Sequence, residues 1–246
     1  MHTVIYGFHP VCETLKKRPQ AVHRISLSSK RRDVAMQHIE SLAQEAGIVI
    51  SYEPQRTLAQ LARSENHQGI VARIDQFPLA SLEEILGGRR CSEHGAFFLV
   101  LDSVQDPHNF GALLRSAVCC GVEAVIFPKD RSAPLSGTVA KASAGAIEHI
   151  RLCRVVNIAV TLDKLKDENI WTLGLAPRAQ ETIYGFDFRR DLALVVGGEG
   201  RGLRSLVQKK CDVCLSIPMA QSFESLNASA AGAVAMFEVM RQREYV

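Results

Sequence analysis

Residues 192–203 read LALVVGGEGRGL. Five consecutive apolar residues run into a loop in which Gly197, Gly198, Gly200 and Gly202 occupy four of six positions, and a helical pattern follows from Leu203. An apolar run without polar alternation is a strand buried on both faces. The same unit recurs on either side. Further strand-like runs occupy residues 97–101 (FFLVL), 124–127 (AVIF), 171–175 and 213–217, and helical periodicity fills 111–120, 156–166, 203–209 and 227–243. Buried strands alternating with helices predict a parallel sheet with helices on both faces. Ligands on such sheets bind at the carboxyl ends of the strands, so the polar loops that follow the strands are where chemistry is expected.

Three loops stand out. The first, residues 102–116 (DSVQDPHNFGALLRS), breaks its strand at Asp106-Pro107 and leads through Asn109 into a helix that carries Arg115. Asn109 is either a helix cap or a ligand group. Arg115 is expected in the first turns of an apolar helix, where a cation opposes the helix dipole and needs a carboxylate or a phosphate. The second loop is the glycine run. It is not a dinucleotide fingerprint, because Leu203 stands where the third glycine would fall, nor a Walker A loop, because no Gly-Lys-Ser/Thr follows. Its central Glu199 would repel phosphates and suits hydroxyls or a cationic ligand. The third loop, residues 219–227 (MAQSFESLN), enters the small-residue helix ASAAGAVAMF with Ser225 and Asn227 at capping positions. His108 is the one histidine within these loops, which argues against a serine–histidine relay.

The surrounding chain is that of a folded α/β protein. Its 246 residues are 47% hydrophobic and 22% charged, which excludes disordered, collagen-like and coiled-coil classes. No apolar run is long enough to span a bilayer, and the opening MHTVIYGFHP lacks the pattern of a signal peptide, so a cytoplasmic protein is expected. The net charge of +3 is unevenly spread: residues 1–76 hold 10 Lys and Arg against 7 Asp and Glu, with five of the eight histidines, while the rest balance at 19 each. A basic module beside a neutral one fits a polyanion-binding part joined to a part with another task. Lys16, Lys17, Arg18, Lys30, Arg31 and Arg32 are candidate phosphate contacts. Within residues 1–76, strand patterns at 23–28, 48–52 and 69–74 and helical patterns at 31–46 and after Pro54 describe a small α/β domain. A linker over 77–95 with a short helix near residues 82–86 precedes a larger domain over 96–246. Of the seven cysteines, Cys211 and Cys214 form a lone CxxC without a second ligand pair, so no metal is expected and core thiols are the default.

At the three loops the chain resembles the SpoU (TrmH) family of RNA ribose 2′-O-methyltransferases: DPHNFGALLRSA, LALVVGGEGRGL and LSIPMAQSFESLNASAAGA match its motifs in order and spacing. The segment VIFPKDRSAPLSGTVAKASAGAIEHI also matches, and IYGFHPV and HQGIVAR resemble the small RNA-binding domain of its longer members. The resemblance implies a SPOUT-type α/β knot, a parallel sheet with helices on both faces and a C-terminal trefoil knot, after a small RNA-binding domain. It implies S-adenosyl-L-methionine as methyl donor, a guanosine of 23S ribosomal RNA as substrate, and a homodimer through the C-terminal domain. By motif position, Gly197, Gly198, Ile217, Met219 and Leu226 would contact the cofactor, and Asn109, Arg115, Glu199, Ser225 and Asn227 match catalytic-site positions. Arg115 is the family's proposed base; a guanidinium pKa of roughly 12.5–13.8 favours anchoring a phosphate, with transient proton acceptance left open. The alternatives are a tRNA ribose methyltransferase and a non-catalytic RNA-binding assembly factor of the same fold.

Overall fold

A computed structural model describes residues 2–89, 95–220 and 225–244. The cysteine at position 91, most of the GGRRCSEHG linker, positions 221–224 of the third loop and the last two residues lie outside the described residues. The chain forms two compact units, residues 1–77 with 134–149 and residues 78–133 with 150–246.

In chain order, the first stretch gives β1 (His2–Tyr6), α1 (Phe8–Lys17), β2 (Val22–Ser28), α2 (Val34–Glu45), β3 (Ile50–Glu53), α3 (Gln55–Ala62) and β4 (Ile70–Asp75). After the capped helix α4 (Leu82–Gly87) come β5 (Phe97–Asp102), α5 (Pro107–Cys119), β6 (Ala124–Pro128) and α6 (Gly137–Ala142). The remainder is β7 (Arg151–Val155), α7 (Ile158–Asp167), β8 (Trp171–Leu175), β9 (Glu181–Thr182), β10 (Leu192–Gly197), α8 (Ser205–Lys210), β11 (Val213–Ser216) and α9 (Ala228–Glu244).

The smaller unit is built on a four-stranded sheet in the order β1-β4-β2-β3. Strand β4 runs antiparallel to both neighbours, while β2 and β3 are parallel. Ile5, Ile25, Leu27, Ile70 and Ile74 are fully buried on one face, and on the other Tyr6 and Val71 pack against Leu58 and Ala62 of α3. Residues 134–149 complete this unit. Arg18 Nε and Nη2 donate to the two oxygens of Glu148 at 2.6 and 2.9 Å, and Thr14 Oγ1 donates to Glu148 Oε1 at 2.8 Å. The sequence pattern predicts a second domain running without interruption from 96 to 246, and residues 134–149 depart from it. The excursion escaped it because a helix as short as α6, built from small residues, carries no signal of which sheet it packs on.

Among the described residues the larger unit holds seven strands, all parallel, in the order β7-β6-β5-β10-β8-β11-β9. Phe98, Val100, Ala193 and Val195 face Ile158, Leu162, Leu165 and Val207 of α7 and α8. On the other face α9 packs on α5 and β10, so closely that a side chain at Gly232 would strike Leu113. The parallel sheet clothed on both faces, preceded by a small α/β unit, is the architecture the strand pattern predicts.

Two sequence readings are corrected. Helix α5 begins at Pro107 rather than at residue 111, because Asp106 accepts hydrogen bonds from the His108 and Asn109 amides and starts the helix early. Arg115 therefore sits past the helix midpoint and is exposed, so the dipole argument for an anionic partner falls. The edge strand β7 was not foreseen, because its arginines at 151 and 154 break the apolar run that marks the inner strands. Strand β1 and helix α1 were likewise unassigned.

Candidate functional site

The strand order places the site. From β5 the chain proceeds outward to β6 and β7, crosses to β8 and β9 on the far side, and then inserts β10 between β8 and β5, so the sheet's switch point lies between β5 and β10. Their carboxyl ends are in register, with Gly197 opposite Asp102. Crevices at such a point are where parallel sheets bind ligands, because the loops diverge there and leave backbone groups free.

The glycine loop is bent tightly over this point. The Gly198 amide donates to the Asp102 carbonyl at 2.8 Å, and the Gly202 amide returns to the Gly198 carbonyl at 3.1 Å. A Cβ at Gly197 would collide with the Gly202–Leu203 backbone, and one at Gly198 with the Ser103 carbonyl. These two glycines are thus demanded by the loop's own closure. Gly200 and Gly202 hold φ of +77° and +62°.

The loop delivers Glu199 to the first turn of α5. The Asn109 side-chain amide donates to Glu199 Oε1 and, at 3.0 Å, to Asp106 Oδ2. Asn109 is 9% exposed and Glu199 is open to solvent. One buried amide held between two carboxylates, one of them accessible, makes an acceptor-rich edge suited to a hydroxyl or a cation.

Beside it lies a pair the sequence reading missed. Asp102 is fully buried, and its carboxylate accepts from the Arg204 amide at 2.8 Å and from Arg204 Nε at 2.6 Å. A buried carboxylate is tolerated only when paired in this way. The available signal was an acid closing an otherwise wholly apolar strand, FFLVLD.

The third loop supplies apolar surface. Ile217 is half-buried, while Met219 and Leu226 are each 39% exposed. Among the described residues, 217–220 make no backbone hydrogen bond. Apolar walls of this kind fit the adenine of an adenosyl cofactor. Asn227 caps α9, its Oδ1 accepting from the Ser229 amide at 2.9 Å and the Ala230 amide at 3.3 Å. The structure brings together Asn109, Glu199, Gly197 and Gly198. Among the described residues no hydrogen bond or ion pair joins Arg115, Ser225 or Asn227 to that group; all three are exposed.

Two family profiles match the chain. The profile of the SpoU rRNA Methylase family matches residues 96–237, and that of RNA 2′-O ribose methyltransferase substrate binding matches residues 4–80. A 23S rRNA (guanosine-2′-O-)-methyltransferase RlmB from Ralstonia nicotianae is 41% identical over 99% of this chain and 97% of its own length. The protein of the same name from Escherichia coli strain K12 is 40% identical over 99% of this chain and its full length. The crystal structure of the SpoU methyltransferase AviRb from Streptomyces viridochromogenes with AdoMet superposes with a TM-score of 0.83 at 23% identity, covering 99% of this chain and 91% of that one.

Proposed function

Because the chain belongs to the SpoU rRNA methylase family, we propose that it transfers a methyl group from S-adenosyl-L-methionine to the ribose 2′-hydroxyl of a guanosine in 23S ribosomal RNA. The observation that carries the reading is the link from Asn109 to Glu199 across the carboxyl ends of β5 and β10. It sets acceptor groups on one side of the glycine loop, with the apolar third loop to serve as the cofactor wall.

S-adenosyl-L-methionine supplies an electrophilic methyl on a positively charged sulfur. Ile217, Met219 and Leu226, with the backbone of residues 197–200 and 217–220, would hold its adenosyl part. Asn109, fixed by Asp106, orients Glu199, whose free oxygen accepts from the ribose. Arg115, exposed and without a charged partner among the described residues, is free to take an RNA phosphate. A guanidinium near the attacking oxygen favours the alkoxide, so anchoring and activation come from one charge. Ser225 and Asn227 complete the alignment. Holding both reactants in place is worth roughly 7–11 kcal/mol of the barrier.

The smaller unit would grip structured RNA, in keeping with the substrate-binding profile over residues 4–80 and its basic surplus. We assign a C-terminal knot from family membership. We also assign a homodimer through α9, whose exposed Val234 and Phe237 border a mainly apolar hollow of about 410 Å³ with Tyr184. Among the described residues no helix is long and apolar enough to cross a membrane, and the activity belongs in the compartment where ribosomes mature.

The test is methylation of 23S RNA from a strain lacking the protein, using labelled cofactor and mapping of the modified ribose. Label at one guanosine 2′-oxygen supports the reading; label on a base, or tRNA as the sole acceptor, refutes it. Sedimentation of the protein and of Phe237→Glu tests the dimer.

A further inference from the structure

A second hollow, of about 290 Å³, lies at the carboxyl ends of β6 and β7, between them and the start of α8. Pro128, Val156, Leu206 and Val207 give it apolar walls, while Asp130, Arg131, Asn157 and Arg204 give it polar groups. Its size sits at the lower end of small-molecule pockets, about right for one flat heterocycle.

The polar groups are uncommitted in a particular way. Neither Asp130 nor Arg131 has a hydrogen-bond or ion-pair partner among the described residues, although they are adjacent. Asn157 spends its Oδ1 on capping α7, accepting from the Ala159 amide at 2.9 Å and the Val160 amide at 3.4 Å, which leaves its NH2 as a pure donor. Arg204 joins the hollow to the site above, since its other face pairs with Asp102, whose carbonyl holds the Gly198 amide next to Glu199. The hollow thus offers one carboxylate, a fixed amide donor and a guanidinium between apolar walls, a step away from the ribose-binding edge.

Resting on the methyltransferase reading, we infer that this hollow receives the base of the target nucleoside and selects guanine. The Asp130 carboxylate accepts from N1–H and the N2 amine together. Asn157 and Arg131 donate to O6 and N7. Adenine would turn its N1 lone pair toward the carboxylate and is rejected, and a pyrimidine fills the hollow poorly. A backbone phosphate would suit the arginines, but Asp130 opposes it. The base enters after turning out of its stack, as enzymes and RNA-binding modules that read single nucleotides require.

The test compares methylation of one RNA carrying guanosine or inosine at the target position, inosine lacking only the N2 amine. The wild type should favour guanosine in kcat/KM by roughly 10- to 150-fold, the worth of one hydrogen bond to a charged group. Asp130→Ala should lose that preference by slowing guanosine more than inosine, which gives the carboxylate N1–H alone, while cofactor affinity stays put, and Arg131→Ala should slow both RNAs alike. Both residues are exposed loop positions, so folding is not at stake. A wild type indifferent to the amine, or an active Asp130→Ala that keeps the full preference, overturns the pocket assignment alone. Faster methylation of both RNAs by Asp130→Ala marks a phosphate site and also overturns it. A wild type that methylates neither RNA removes the methyltransferase reading, and this inference with it.

Discussion

Asn109 and Glu199, 90 residues apart in the chain, meet side chain to side chain above the junction of two neighbouring parallel strands. Asn109 is locked by its bond to Asp106, so Glu199 is aimed by a fixed group while one of its oxygens remains open. Replacing Asn109 by Ala should lower kcat about 10²-fold, the scale seen when one preorganised polar contact is lost. Cofactor affinity, read by calorimetric titration, should change less than about twofold. A fall in affinity with kcat unchanged would move Asn109 from the ribose to the cofactor.

Arg115 is exposed and makes no side-chain hydrogen bond or ion pair among the described residues, so its removal should leave the fold intact. Arg115→Ala should retain its melting temperature and cofactor binding but lose methylation, and Arg115→Lys should restore a part of it, a point charge doing some of the work of a fork. Full turnover by Arg115→Ala refutes the assignment.

The Arg18–Glu148 pair ties the excursion of residues 134–149 to the first helix, with the Glu148 side chain only 2% exposed. Arg18→Ala would strand that carboxylate in the core and should cost about 3–5 kcal/mol in denaturant unfolding, more than Arg18→Ala/Glu148→Ala together. Additive losses would show the pair to be uncoupled.

Burial holds the thiols of Cys120 and Cys211 up at about 12 and that of Cys153 at about 11, while Cys119 is exposed. The thiolate is the reactive form, so at pH 8 a thiol of pKa about 12 is ionised in only about one molecule in 10⁴. Iodoacetamide on the native protein should label Cys119 well before Cys120, Cys153 or Cys211, as mass spectrometry of digests would show. The buried thiols gain reactivity as pH rises or the protein unfolds. Rapid labelling of Cys211 at pH 8 would mean the α8–β11 turn opens in solution.

Much of this was legible in the chain. The three adjoining strands β6, β5 and β10 are apolar runs up to their last residues, because burial on both faces leaves little place for a polar residue, and such runs fix their own boundaries. The edge strand β7 was illegible for the converse reason, its arginines reaching solvent past one neighbour. The glycine loop was recognised, but two of its glycines answer to the chain's own backbone, a constraint visible only when Ser103 and Gly202 are in place. Arg115 was singled out on a helix start placed four residues too late, since the cap is Asp106 and the first turn contains a proline. Asp102 and Arg204 went unremarked, because two charges 102 positions apart become a pair only after the strand and the loop have met.

Residues 134–149 leave the larger unit to finish the smaller one, so the polypeptide passes between the two at three points, 77/78, 133/134 and 149/150. A protease nick near residue 90 would cut the backbone without freeing the amino-terminal piece, which would stay docked on its own missing segment. By the same logic a gene truncated at that linker encodes neither unit whole, and a graft of the small domain onto another protein would have to carry two separate stretches of sequence.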